Sequence, residues 1–319
     1  MSNLTSSIQL TKKSTYKLNN GRYIPVAGYG TYLVDYNKAS DLVYQALKDG
    51  YRHVDSAIAY KNQGKCAEGI ARFLRDYPDV KREDIWFTTK IDNNNQGYEE
   101  TKKAVELISN EVKQHIGYVD LILIHSPKTS KEKRLGTYKA LQEYVLDPNN
   151  ETLIVHSIGV SNYGVDHLEE LFKWEGLLIN PTINQLELHP WLPRLALRKY
   201  LYEHDILVEA YSPLTQGIKF KDPFLLDLAK KYSISPAELL LKWSYLQGFI
   251  VLVKSENPKR IKENLDVLPD PVEGGDQLDE TTRLGKVDLD VDLIEALNKP
   301  DSKEVLTWEG VDPTLYKDE

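Results

Sequence analysis

The chain has 319 residues, 41% of them hydrophobic and 28% charged, with a net charge of −8 at neutral pH. That length suits either two average domains or one large α/β barrel, and the acidic balance excludes a general affinity for nucleic acid or anionic membrane. Cys66 is the single cysteine, the N-terminus has no apolar signal core, and no run approaches the ~20 apolar residues of a membrane helix, which together predict a cytoplasmic globular protein.

Residues 16–24 predict a small hairpin about a turn at Asn19-Asn20-Gly21, because Asn and Gly both tolerate positive φ. After it, short apolar runs alternate with stretches of helical spacing. Strands are predicted at 26–31, 51–55, 85–89, 119–124, 153–160, 182–186, 206–210 and 249–253. Helices are predicted between and after them at 39–48, 66–74, 99–115, 136–145, 165–174, 195–203, 224–232, 236–246 and 258–265. Eight strand–helix pairs are what a closed (β/α)8 TIM barrel requires. A doubly wound open sheet would usually begin with a glycine-rich turn, and Gly28-Tyr-Gly30-Thr-Tyr-Leu33 lacks the third glycine. Residues 1–319 therefore read as one α/β barrel domain. Pro, Gly and acidic residues at 269–286 predict a surface loop, 291–297 a further helix, and 298–319 a C-terminal tail. Trp308 in that tail either packs on the barrel or lines a substrate pocket.

Three predicted strands end in ionisable residues: Asp55 (with Tyr60 five residues on), Lys90 and His125. In a parallel barrel, that end of the strands is where active sites lie. Taken singly, Tyr60 could be a packing residue, Lys90 a solvated charge, His125 a core histidine and Asp55 a helix cap. Together they predict more. A barrel interior holds a bare charge only at high cost, so Lys90 and Asp55 would pair. A lysine ammonium beside the Tyr60 hydroxyl favours the phenolate, lowering the tyrosine from its reference of ~10 towards the working range. Such a tyrosine can protonate a developing alkoxide while His125 hydrogen-bonds the same oxygen. No metal-ligand spacing surrounds the seven histidines. The attacking agent should be a hydride from a cofactor, since no side chain donates one. Lys254-Ser-Glu-Asn-Pro-Lys-Arg260 opens the last barrel helix, and a helix N-terminus with Lys254, Ser255 and Arg260 about it predicts a phosphate cradle.

These residues resemble the aldo-keto reductases, in order, over nearly the whole chain to about Asn264. Gly50-Tyr-Arg-His-Val-Asp55-Ser-Ala with Tyr60, then Lys90, then Asp120-Leu-Ile-Leu-Ile-His125-Ser-Pro127 are similar to the family's Asp–Tyr–Lys–His tetrad motifs. Ile158-Gly-Val-Ser-Asn162 and Asn184-Gln-Leu-Glu-Leu-His-Pro190 resemble its strand-five and strand-six signatures. The resemblance implies NADPH as cofactor. It implies Ser161, Asn162 and Gln185 at the nicotinamide carboxamide, Tyr211 under the ring, and Ser212 and Leu214 near the pyrophosphate, with Thr31 among the contacts. It also implies Lys254, Ser255 and Arg260 at the 2′-phosphate, with Glu263 and Asn264 near adenine.

The departures fall elsewhere. Ser126 stands where the family often has Trp, Tyr32 likewise, Gln63 replaces a common Glu, and Val253 a common Pro. Tyr32, Ser126 and Trp308 are therefore expected to shape a substrate pocket of altered specificity. The C-terminal portion, with Trp308-Glu-Gly-Val-Asp-Pro313, most resembles the fungal branch that reduces conjugated polyketones and α-keto amides. That implies a monomeric reductase of α-dicarbonyl ketones or aldehydes. An NADP(H)-binding regulatory or sensor barrel is the alternative, and a Schiff-base lyase using Lys90 a third reading.

Overall fold

The described chain opens with an extended segment and a hairpin, then alternates strand and helix eight times. The computed structural model describes residues 5–271 and 285–318. The opening elements are β1 (Thr5–Gln9) and the pair β2 (Thr15–Lys17) and β3 (Tyr23–Pro25). Next come β4 (Ala27–Gly30), α1 (Tyr36–Asp49), β5 (His53–Asp55), α2 (Gln63–Asp76), β6 (Trp86–Ile91) and α3 (Tyr98–Ile116). They are followed by β7 (Tyr118–Val119), β8 (Leu121–Ile124), α4 (Lys131–Leu146), β9 (Ile154–Val155), β10 (Ile158–Ser161) and α5 (Val165–Phe172). Then β11 (Ile183–Glu187), α6 (Leu195–Glu203), β12 (Leu207–Tyr211), α7 (Pro223–Lys231), α8 (Pro236–Leu246), β13 (Ile250–Val253) and α9 (Pro258–Leu265) complete the alternation. The last elements are β14 (Lys286–Asp290) and α10 (Val291–Leu297). Strands β4, β5, β6, β8, β10, β11, β12 and β13 close in that order into a parallel barrel, the expected (β/α)8 fold.

Side chains alternate along each stave, so one face of every strand looks to the helices and the other into the barrel. On β8, Ile122 and Ile124 join the large core under the helices, whereas Leu121 and Leu123 join a separate cluster with Leu18, Ile24, Trp86, Ile183 and Ile250. Leu18 and Ile24 come from the hairpin, which therefore plugs the barrel at the end where the staves begin. Asn19 Nδ2 donates to the carbonyls of Pro181 (3.0 Å) and Asp205 (3.1 Å), and Asn20 Nδ2 to Ser157 Oγ (2.9 Å). The acceptors lie just before β11, β12 and β10. In the hairpin turn Gly21 alone takes positive φ, at 85°, while the side chains of both asparagines hold the plug in place. Gly28 is a packing glycine: a Cβ there would overlap Leu252 Cδ2.

Two predicted strands are broken. The stretch 119–124 divides at Asp120, whose carboxylate accepts the Phe87 N–H (2.9 Å) and Arg82 Nη2 (2.8 Å). The stretch 153–160 divides at His156 and Ser157. The detached ends β7 and β9 pair with each other outside the barrel. The pairing of β1 with β14, antiparallel from Thr5↔Asp290 to Gln9↔Lys286, is unforeseen. The acidic loop predicted at 269–286 lies outside the described residues except at its ends, where Pro269 O accepts the Lys12 N–H and Lys286 already belongs to β14. No described helix is long and apolar enough to cross a membrane.

Leu18→Ala should destabilise the protein by about 2–4 kcal/mol, because it empties the plug of a closed interior. Urea unfolding measures this, and a loss below about 0.5 kcal/mol would contradict the plug.

Candidate active site

Period-two alternation puts Trp86, Thr88 and Lys90 of β6 on the inward face, and with them His53 and Asp55 of β5, Gln185 of β11 and Glu209 of β12. The interior is thus apolar at the plug and polar above it, with the ion pair in the upper layer. Lys90 and Asp55 have 0% and 4% of their side chains exposed. Lys90 Nζ donates to Asp55 Oδ1 (2.8 Å) and Oδ2 (2.7 Å), to the Ser56 carbonyl (2.8 Å) and to Tyr60 Oη (3.2 Å). An ammonium has three protons, and these partners use them all. Since the Tyr60 oxygen accepts from Lys90, its own proton points away from the lysine.

Tyr60 closes a single 3-10 turn, Ile58–Tyr60, between β5 and α2. Asn62 fixes that turn: its Nδ2 donates to the carbonyls of Thr31 (2.9 Å) and Val34 (3.1 Å), and its Oδ1 accepts from Ser56 Oγ (3.0 Å). Burial pushes the Tyr60 phenol well above its ordinary value, and the Asp55 charge pushes the same way. The expected lowering by Lys90 is thus outweighed, and the phenol holds its proton at neutral pH. His125 follows β8, its ring 5.6 Å from that of Tyr60. Burial first, then the Lys90 charge, lower its pKa to about 3, so the imidazole is neutral. Tyr32 (5.1 Å from the Tyr60 ring) and Trp308 (6.0 Å from the His125 ring) complete an aromatic wall at the mouth. Ser126, by contrast, is fully buried and donates its hydroxyl to Asn93 Oδ1 (2.7 Å) in the turn after β6.

The residues expected around a nicotinamide lie at the ends of neighbouring staves. Ser161 Oγ donates to the Gln185 carbonyl (2.9 Å), and Asn162, at φ 61°, donates through Nδ2 to the His125 carbonyl (3.0 Å). Gln185 Nε2 donates to Asp55 Oδ1 (2.9 Å) and Glu209 Oε2 (2.6 Å), which leaves its oxygen as the end open to a ligand amide. Tyr211 Oη donates to Asn162 Oδ1 (2.8 Å) and accepts from Trp308 Nε1 (2.9 Å). Ser212, at φ 53°, and Leu214 follow it, half-buried. Thr31 is buried and donates its hydroxyl to the Asp55 carbonyl (2.9 Å).

The residues expected to cradle a phosphate lie together at the start of α9. Asn257 caps α9, and Lys254 and Arg260 are exposed beside it, with Ser255 buried beneath. A carboxylate already lies among the cations: Glu256 accepts from Lys254 (3.1 Å) and Lys38 (3.1 Å), which hold it below the usual carboxylate range. Glu263 pairs with Lys259 (3.3 Å), and Asn264 is buried. The donor set fits an NADP-type dinucleotide: a backbone N-terminus with exposed cations beside it for a phosphate, and a fixed amide oxygen for a carboxamide.

Sequence reasoning missed four carboxyl groups. Glu209 is fully buried; a charged residue inside the run Leu207-Val208-Glu209-Ala210 was the available signal. Glu187 anchors the tail by accepting from Leu306 N (2.8 Å), Thr307 N (3.3 Å) and Thr307 Oγ1 (2.6 Å). Asp312 takes both Arg194 terminal nitrogens (2.9 and 3.0 Å), and Asp318 pairs with Arg134 (2.6 Å). The tail is thereby clamped across the mouth, and this clamp is what holds Trp308 there.

The Aldo/keto reductase family profile matches residues 27–273. An uncharacterized oxidoreductase of Saccharomyces cerevisiae, YJR096W, is 36% identical over 298 residues, spanning 93% of this chain and 98% of its own. The glyoxal reductase of Bacillus subtilis is 36% identical over 288 residues, 90% of this chain and 94% of its own. Among solved structures, the Gox0644 protein aligns with a TM-score of 0.74 at 33% identity, covering 95% of this chain and 98% of its own. A variant of it, solved in complex with NADPH, aligns with a TM-score of 0.73.

Burial lowers His53 to about 4 and His125 to about 3, against ~6.5 in an unfolded chain. Between those values the unfolded state binds more protons at these two sites, so the histidines' contribution to stability is full above about pH 6.5 and falls as pH drops towards 4. Thermal melts should show this decline, and His53→Gln should flatten it. An unflattened slope would mean His53 is not held neutral.

Proposed function

The chain belongs to the aldo/keto reductase family and is an oxidoreductase, and from that membership we propose that it reduces a ketone or aldehyde to the alcohol with NADPH, Tyr60 being the proton donor. One observation carries the assignment of the donor. Lys90 donates to Tyr60 Oη at 3.2 Å, so the phenolic proton is turned out of the ion pair towards the mouth. When bound, NADPH supplies the hydride that reaches the carbonyl carbon. Neutral His125 has an N–H to offer the carbonyl oxygen and directs it at Tyr60. As the oxygen gains charge, Tyr60 transfers its proton, and the Lys90 ammonium, held by Asp55, stabilises the phenolate left behind. Ser161, Asn162, Gln185 and Tyr211 would hold the nicotinamide end, Ser212 and Leu214 the pyrophosphate, and Lys254, Ser255 and Arg260 the 2′-phosphate.

For substrate we propose α-dicarbonyl compounds, such as glyoxal or α-keto lactones, amides and esters. A second carbonyl makes the first more electrophilic, and the glyoxal reductase resembled over 90% of this chain supports that class. Tyr32 and Trp308 would border the substrate.

Tyr60→Phe should cut NADPH oxidation with glyoxal by roughly a hundredfold or more while leaving NADPH fluorescence titrations unchanged. Full turnover by the variant would remove Tyr60 from the reaction, and tight NADPH binding with no turnover across aldehydes and dicarbonyls would favour the sensor barrel. Lys254→Ala should weaken NADPH binding about tenfold and NADH much less, whereas Glu256→Gln should strengthen NADPH binding selectively. Equal changes for both nucleotides would show that no 2′-phosphate sits in the cradle.

A further inference from the structure

We propose that Glu209 is a positioning residue of this site: its carboxyl, inside the barrel, orients the Gln185 amide and sets the charge felt by Asp55, Lys90 and Tyr60. The inference rests on the reduction proposed above and adds a titrating group to it. Glu209 stands on β12 with no exposed surface. One amide nitrogen, Gln185 Nε2, joins its Oε2 (2.6 Å) to Asp55 Oδ1 (2.9 Å). Both amide protons are thereby used, which forces the Gln185 oxygen to be the free end. Without Glu209 the amide could rotate and present the wrong group.

The charge follows from counting. Two carboxylates against one ammonium would leave a negative excess in a dry layer, so Glu209 keeps its proton at neutral pH. Burial first, and then the Asp55 charge, push it up to about 8, against the opposing pull of Gln185 and Lys90. A place for the proton exists: Glu209 Oε1 has no hydrogen-bond partner and lies 3.5 Å from Nε2 of neutral His53. The groups that face Glu209 are His53 and Asp55 from β5, Lys90 from β6, neutral Gln185 from β11 and Tyr60 from the turn after β5, while β13 pairs Ile250 with it. When Glu209 loses its proton, the new negative charge makes Tyr60 hold its own more tightly. Proton donation weakens although no residue has moved.

The test is the pH profile of kcat for glyoxal reduction by NADPH in the wild-type protein, Glu209→Gln, Glu209→Asp and Tyr60→Phe. Wild-type kcat should fall roughly threefold to tenfold through about pH 8. Glu209→Gln cannot titrate and should lose that step; Glu209→Asp should restore a step at a displaced pH. A step retained by Glu209→Gln overturns the proposal. If circular dichroism shows that Glu209→Gln does not fold, Glu209→Asp decides, and an unmoved step is the contrary result. A protein that leaves glyoxal untouched, or a Tyr60→Phe variant as active as wild type, sinks the reductase reading instead, and unfolding then tests Glu209 alone. A carboxyl raised in the folded state contributes stability that is full below about 4.5 and lost as pH rises through about 8. The stability of wild type relative to Glu209→Gln should decline across that window, and a flat difference overturns the inference.

Discussion

A lysine and an aspartate paired inside a dry barrel are the constraint on which the rest of this structure depends. Each ion loses several kcal/mol of hydration on burial, and mutual attraction offsets this only when the remaining donors and acceptors are satisfied. Asp55 meets the condition with Lys90 and Gln185, and Lys90 with Asp55, the Ser56 carbonyl and Tyr60. The polar middle layer follows from the same need, for Thr88, His53 and Glu209 carry hydrogen bonding down towards the apolar plug. The hairpin closes the other end, sealing the layer with Leu18 and Ile24. A pair left open to water at that end would interact far more weakly with the tyrosine above it.

The barrel and its attachments divide the work. Groups that must not move, the ion pair and the amides about it, stand on staves whose backbones are paired on both sides. Tyr60, His125, Asn162 and Trp308 stand instead on the connections that follow the staves and on the tail. Trp308 touches both classes, since its indole donates to Tyr211 Oη, and Tyr211 in turn donates to Asn162 beside His125. The wall facing a substrate and the residues expected about a nicotinamide are therefore one hydrogen-bonded assembly. The tail reaches it only because Glu187, Arg194 and Arg134 clamp it at separate points.

Much of this was legible in the sequence, for identifiable reasons. Strands buried on both faces read as apolar runs, and their ionisable ends stood out as Asp55, Lys90 and His125 because a charge beside such a run needs a partner. What stayed hidden depended on tertiary partners. The strand β1, Thr5–Gln9, is too polar to be read as a strand, and it is one because β14 pairs with it. Asp120 cuts a predicted strand by taking a backbone N–H that only the folded barrel brings to it. Glu209 stayed out of view because its partners come from β5, β6 and β11, remote from it in the chain. The partner of Ser126 was equally hidden: its hydroxyl donates to Asn93, which the chain brings beside it only in the folded barrel.

The tyrosine shows where local chemical intuition and burial part company. A neighbouring ammonium pulls a phenol towards ionisation, and that alone predicts a lowered pKa; in this barrel desolvation and the Asp55 charge prevail. The raised value does not bar the proposed reaction. An alkoxide is a stronger base than a phenolate, so a phenol needs no lowering to give up its proton once the carbonyl oxygen carries charge. Before that moment a raised value keeps the donor loaded across the neutral range. In the proposed reduction Lys90 would then act through direction and timing: it holds the phenolic oxygen from behind, which turns the proton outward, and would stabilise the anion only as it forms. Catalysis depends on what is bound more tightly in the transition state than before it, and an ammonium 3.2 Å from an oxygen that gains charge only then meets that requirement.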